Sequence, residues 1–402
     1  MLETDPMPES GGPSRTKLLL ARPARAVNAC AMDADPYRLV VPASFLLGGA
    51  AGYVMHRGDF CIAGMFRDLF LFRRAAPLKA LLLAVCLSMA GFEGARALGL
   101  LGAHPFPLLG TASLANVLGG LVFGIGMVLA GGCVVGCLYK LGAGSVLGLV
   151  TLVGLVGGSA LYAEIHPWWS SVARSGAILG TAVTVPQALN LAPWVLLAPL
   201  LVAAVALLAG WLGRGELSCD VHPEGYLQPW QTATLLAVVG LLSYLLVGMP
   251  LGITTAYAKA AAFVELWLAP GHVEELAYYR VESLSYVPPF SEIRVSGGPG
   301  PRLDAVAAVQ FPLILGIVGG ASASAVLLRE FHLRVRLPWR QYLSAFVGGI
   351  LMGLAARAAP ACNVWHLLGG LPILALQSLL FIAGMVPGAW LGSRLVARLV
   401  LR

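Results

Sequence analysis

Charged side chains are scarce in this chain, 11% of 402 residues, against about 25% in soluble domains. That shortage excludes an ordinary water-soluble fold. No basic run interleaved with aromatics is present, so a nucleic-acid surface is excluded as well. No G-x-x-x-x-G-K-[ST] stretch occurs, so no phosphate-cradling loop for ATP is expected. The seven cysteines, Cys30, Cys61, Cys86, Cys133, Cys137, Cys219 and Cys362, include no C-x-x-C pair. Most stand in apolar runs, where a disulfide framework is not expected. Residues 1–38 lack an apolar core followed by a cleavage site. They read as a disordered polar tail, not a secretory leader.

What is abundant is apolar sequence, 58% of residues, with a mean hydropathy of +0.82. Several runs approach the roughly 20 residues that cross a bilayer. Nine spans are expected, near 39–54, 78–98, 114–130, 146–162, 194–212, 232–247, 310–328, 342–356 and 371–395. Four shorter apolar pieces, 60–72, 133–141, 251–268 and 362–368, are too short or too broken to cross and read as re-entrant half-helices. The expected fold is an all-α polytopic membrane protein, with the half-helices meeting in an inverted-repeat, hourglass arrangement. The first repeat covers 39–163, a long loop and connector span 164–229, and the second repeat 230–398 with an extracytoplasmic insertion at 267–304.

The net charge of +7 comes mostly from short loops, which in a membrane protein reports orientation. Arg57, Arg67, Arg73, Arg74 and Lys79 lie between the first two spans, and Arg329, Arg334, Arg336 and Arg340 between the seventh and eighth. The C-terminus adds Arg394, Arg398 and Arg402. A nine-span count places all three groups on one side, which is then cytoplasmic. The basic tail before the first span falls on the other side and disagrees with the rule.

The most informative stretch is GGLVFGIGMVLAGGCVVGCLYKLGAG, residues 119–144. Gly131-Gly132 breaks a hydrophobic span and delivers Cys133 and Cys137. Backbone leaves helical geometry at membrane depth only where protein or water satisfies its polar groups. The stretch has a second copy. Residues 119–133 align without gaps on 348–362, pairing Gly119, Gly120, Gly124, Ala130 and Cys133 with Gly348, Gly349, Gly353, Ala359 and Cys362. Four residues further on stand Cys137 and His366. Interrupted apolar segments at matching places in two halves point to a transporter's binding site.

Three segments therefore hold candidate path residues. In GYVMHRGDFCIAGMFRD, residues 52–68, Arg57-Gly58-Asp59 forms a turn, Asp59 is placed to cap the half-helix, and Cys61 lies in its first turn. Helix N-termini favour anions. In GGCVVGC, Cys133 and Cys137 face the same way if the segment is helical. In PACNVWH, residues 360–366, Pro360 ends the preceding helix, and Asn363, Trp365 and His366 offer polar tips. Gly132, Cys137, Asn363, His366 and Thr254 are candidates for lining the waist. Packing is the competing role for each thiol, and it is the role expected of Cys86. Arg357 and Glu93, near span ends, are equally read as charges reaching for the interface.

The first two of these segments, with GITTAYAKA at 252–260, REFHLRVR at 329–336 and GGILMG followed by Cys362, resemble the YeeE/YedE family of bacterial inner-membrane sulfur transporters. The likeness runs from Gly48 to the last span. It implies helices and half-helices in an hourglass, uptake of thiosulfate, and functional roles for Cys61, Cys133 and Cys362. It also implies a small cytosolic sulfurtransferase as partner. The family usually has Gly-Gly where this chain has Pro360-Ala361, small residues where it has 363–366, and a small or hydroxylated residue at Cys137.

The expected function is uptake of a small sulfur anion, most readily thiosulfate, through a bacterial inner membrane. Neutral thiols donate along the path, because a thiolate repels a dianion. No cofactor, no resident metal and no catalysis are expected, and the contacts outside the path are with membrane lipid. Two other readings stay open: a soft-metal transporter holding copper or zinc on Cys133, Cys137, Cys362 and His366, and transport of selenium compounds. A thiol oxidoreductase built on Cys133 and Cys137 is disfavoured, since positions four apart on a helix rarely orient for a disulfide.

Overall fold

The computed structural model describes residues 37–101, 106, 109–218, 224–289 and 293–400. The polar tail, Cys30 and Cys219 lie outside the described residues. The helices in chain order are α1 (Tyr37–Arg57), α2 (Ile62–Phe72), α3 (Ala76–Ala97), α4 (Leu114–Leu129), α5 (Val134–Gly142), α6 (Val146–Ser175), α7 (Val185–Ala188), α8 (Pro193–Gly213), α9 (Pro229–Val247), α10 (Thr254–Leu268), α11 (Pro270–Glu275), α12 (Ala305–Leu327), α13 (Trp339–Ala358) and α14 (Leu376–Leu399). The chain is an all-α, multi-pass membrane protein. Among the described residues eight stretches are long and apolar enough to cross a bilayer. A count of nine needs α13 too, which Gln341, Tyr342 and Arg357 hold below the hydropathy of the others.

Glycine spacing explains the tight pairing of the long helices. In lipid, helices associate through small residues that let backbones approach closely. Gly48 and Gly52 of α1 abut the α12 backbone at Leu313 and Ile317, and Gly316 and Gly320 of α12 abut α1. Gly120 and Gly124 of α4 sit against α14, while Gly349 and Gly353 of α13 sit against α6. A β-carbon at any of these positions collides with partner backbone.

These contacts exchange in a regular way. Swapping α1 with α9, α3 with α12, α4 with α13 and α6 with α14 turns each packed pair into another packed pair: α1–α12 into α9–α3, and α4–α14 into α13–α6. The residues aligned in the sequence repeat take part reciprocally. Gly119 rests on Ala359, and Gly348 rests on Ala130. The connector α8 stays at the edge, with Leu197 and Leu208 its only buried residues.

Three features depart from the sequence reading. α6 continues through Pro167 to Ser175, where a loop was expected after residue 163; Trp169 docks this extension by donating to the Ala358 carbonyl at 2.9 Å. The insertion is not all helix: β1 (Leu284–Tyr286) pairs antiparallel with β2 (Val295–Gly297). Buried Lys259 anchors that insertion, donating to the Gly300 and Arg302 carbonyls at 2.7 Å and to Asp304 at 2.9 Å. Finally, the segment after Cys362 is not a plain half-helix. It is a π-helical turn over Trp365–Gly370 followed by a tight turn over Leu371–Ile373, because Gly369, Gly370 and Pro372 cannot sustain regular α-helix.

Candidate functional site

Cys61 and Cys133 hold equivalent places, each the residue just before a short helix. The chain leaves α1 at Arg57 and turns through Asp59, whose φ is 42°. That turn carries Asp59 to the surface, where its carboxylate accepts from the Tyr139 hydroxyl at 2.9 Å. The expected cap from Asp59 is therefore not made, and α2 begins without a side-chain cap. At the second break Gly131 takes φ 70°, and Lys140 Nζ donates to its carbonyl at 2.6 Å. Cys133 then caps α5 itself, its Sγ accepting from the Gly136 N–H at 3.3 Å.

Gly136 is what brings the two thiols together. A β-carbon there stands 2.9 Å from Cys61 Sγ and 3.2 Å from Cys133 Sγ, so the sulfurs are neighbours across a bare glycine. Both cysteines are buried. Cys137 points elsewhere, its thiol directed at the Gly132 carbonyl at 3.6 Å.

A cavity of about 410 Å³ opens beside this cluster, lined by His56, Asp59, Cys137, Tyr139, Lys140 and Arg334, with Tyr226 and Glu330 at its mouth. It reaches Cys137, not Cys61 or Cys133. Tyr226 donates to Glu330 at 2.6 Å; partial burial, then the neighbouring carboxylate, push its phenol up to about 12, so it stays a neutral donor.

A second cavity, about 170 Å³, is lined by Thr254, Thr255, Gln310, Arg357, Cys362 and Trp365, with Tyr162 and Tyr278 around them. Arg357 is 7% exposed, not reaching outward as a helix-end charge. Its guanidinium donates to Thr255 Oγ1 at 3.1 Å and Thr254 Oγ1 at 2.5 Å. Among the described residues no carboxylate pairs with it. Its Nε and the Trp365 Nε1 are buried without partners.

A third group of apolar side chains, including Met55, Val135, Ile253, Ile317, Val364 and Leu368, packs as a plug around a void of about 10 Å³, and Ile253 also lines the second cavity. The two larger cavities share no lining residue.

The structure thus gathers Cys61 and Cys133 around Gly136, with Cys137 beside Gly132, and sets Cys362 with Thr254 in the second cavity. Asn363 and His366 line neither cavity. Asn363 accepts from Val364 N–H at 3.0 Å and faces Met127 Sδ at 3.7 Å. His366 meets Ser378 at 2.9 Å and stacks on Phe381 at 4.1 Å. Among the described residues no three His, Cys, Asp or Glu side chains converge to hold a metal, so Cys133, Cys137, Cys362 and His366 form no such set. Sequence reasoning passed over Gly136, read Trp365 only as a polar tip, and held Arg357 equally as a functional charge or one reaching for the interface. A small residue between two cysteines and a cation in an apolar run were the available signals.

The model of the family described as "Sulphur transport" matches residues 57–391. The thiosulfate transporter TsuA of Spirochaeta thermophila is 29% identical over 361 residues, which is 86% of this chain and 96% of that protein. TsuA of Escherichia coli is 27% identical over 376 residues, 89% of this chain and 95% of that protein. A probable transporter of Escherichia coli, YedE, is 30% identical over 123 residues, 31% of this chain and 26% of its own length.

Proposed function

This chain belongs to the sulphur transport family, and from that premise we propose that it takes up thiosulfate, or a close sulfur oxyanion, across the bacterial inner membrane by way of Cys61, Cys133 and Cys362. The relatives that it matches over most of its length are named thiosulfate transporters. One observation supports the path: two thiols at helix starts flank Gly136, and a third lines the cavity that holds Arg357.

The chemistry suits the cargo. A dianion far from bulk water needs donors that do not hold it too firmly. A neutral thiol is a weak donor with a polarizable sulfur, matched to a terminal sulfur atom. Helix-start N–H groups add partial positive charge. The arginine-rich loops make the Cys137 vestibule cytoplasmic and the Cys362 vestibule external. The anion then meets Cys362 first, passes when the plug side chains part, and leaves beside Cys61, Cys133 and Cys137 toward a cytosolic sulfurtransferase. Catalysis on the anion is not part of this reading.

The test is uptake of radiolabelled thiosulfate by cells lacking other sulfur importers, with membrane protein levels measured for each variant. Losing one donor to an ion costs about 1.5–3 kcal/mol, roughly ten- to more than a hundredfold in occupancy. Cys133→Ala, Cys61→Ala and Cys362→Ala are each expected to lose at least tenfold of uptake. Cys86→Ala, away from both vestibules, is expected to match the parent. Parental uptake by Cys133→Ala and Cys362→Ala sinks the thiol path.

A further inference from the structure

A buried arginine facing a cavity, with no acid beside it, is costly unless something anionic completes it. Arg357 is in that position. Two threonine hydroxyls aim its guanidinium, yet they are neutral and leave Nε unpartnered. Trp365, 1% exposed, lines the same cavity, and its Nε1 is buried without a partner. The start of α10 opens onto this space as well, since Gly252, Ile253, Thr254 and Thr255 all line it. Gln310 takes the Ala256 N–H at 2.8 Å. Three unrelated elements, α13, α10 and the π-helical turn, thus bring donor-bearing side chains to the lining of one small volume.

We propose that Arg357 and Trp365 form a fixed-charge seat for the oxygen-bearing end of a sulfur or selenium oxyanion, leaving the anion's terminal atom beside Cys362. This rests on reading the chain as a sulfur-oxyanion transporter. It adds the group that selects for charge. The thiols alone do not distinguish an anion from a neutral thiol or a soft cation, whereas a buried guanidinium repels cations and pairs with tetrahedral oxyanions through its planar fork. The cavity, about 170 Å³, holds on the order of five water volumes, which suits an ion of a few heavy atoms and not a nucleotide or a peptide.

The experiment uses the full-length protein in two formats. In proteoliposomes, the concentration dependence of labelled thiosulfate uptake is measured. In detergent, thermal unfolding is followed with thiosulfate, sulfate or chloride added. Arg357→Gln is expected to raise KM at least tenfold and to abolish stabilisation by thiosulfate. Arg357→Lys is expected to recover part of both, because it keeps the charge but not the fork. A merely structural arginine, stapling α13 to α10, would lower unfolding temperature while leaving KM and the anion-dependent increment intact, and that result overturns the seat. Should Arg357→Gln fail to accumulate, Trp365→Phe carries the test: it keeps the ring and removes Nε1, with a KM rise of about threefold or more expected and an unchanged KM overturning the proposal. If the parent protein moves no thiosulfate but thiosulfate or sulfate stabilises it in an Arg357-dependent way, the seat stands and the transport reading falls. If the parent takes up thiosulfate and both variants keep its KM, the transport reading stands and the seat falls.

Discussion

Gly136 shows how much of the site rests on an atom that is missing. It sits one residue before Cys137, and a single added carbon would intrude on two sulfurs at once, at 2.9 Å and 3.2 Å. The first is shorter than real β-carbon contacts and the second is tight, so the Cys61 thiol has to move away. Gly136→Ala is expected to cut thiosulfate uptake at least tenfold while the protein still reaches the membrane, because the helix itself favours alanine. Labelled-thiosulfate uptake with a membrane-fraction blot checks this, and parental uptake contradicts the paired-thiol geometry. The three cysteines of the proposed path could be singled out in the sequence because each follows a helix break. Gly136 was not, and Arg357 and Trp365 were visible only as a charge near a span end and a polar tip. Their meaning depends on which distant residue stands opposite, and apolar patterning carries no such information. His366 misled for the same reason: its spacing from Cys362 matches Cys137, but its ring packs on Phe381.

At the scale of elements, the breaks before the short helices were readable from Gly131-Gly132, Gly58 and Pro360. Their inner geometry was not, because the same glycines and prolines permit several turns. The two copies of the break are also built unequally. The first uses glycine in the left-handed region, Gly131 at φ 70°. The second places Ala361 at φ 120°, where a β-carbon is disfavoured and a glycine is at ease. A non-glycine residue in such a region costs about 1–3 kcal/mol. Ala361→Gly is therefore expected to stabilise the folded protein by about 1 kcal/mol, less the entropy that glycine adds to the unfolded chain. Thermal unfolding in detergent reads this as a higher midpoint, and a lower one shows that Ala361 is not strained. The strain sits directly before Cys362, so the variant also reports whether the path needs a tense backbone: uptake is expected to fall if the tension positions the thiol.

For the whole molecule, the multi-pass helical class was legible from composition alone, and the repeat from fifteen aligned positions. The glycine pairs give that repeat a physical basis, since aligned glycines meet equivalent partners, α14 for one copy and α6 for the other. We read this exchange as an inverted repeat, which requires the arginine-rich loops to share one end. The contacts agree: Arg334 bridges to Ser145, Arg57 donates to the Gly225 carbonyl, and Lys79 pairs with Glu216. At the opposite end His272 meets Glu164 at 2.7 Å, beside the insertion. The positive-inside rule then makes the first end cytoplasmic. Single cysteines test it in a background where Cys30 and Cys219 are replaced by serine. Arg336→Cys and Glu282→Cys lie on exposed loops at the two ends. In intact spheroplasts a membrane-impermeant thiol reagent is expected to label Glu282→Cys and to spare Arg336→Cys until the membrane is opened. The reverse pattern inverts the molecule, puts Cys137 outside and Cys362 inside, and turns the proposed importer into a protein whose first contact with its anion is the Lys140 and Arg334 vestibule. Equal labelling at both sites contradicts the span count, because the two loops would then face the same side.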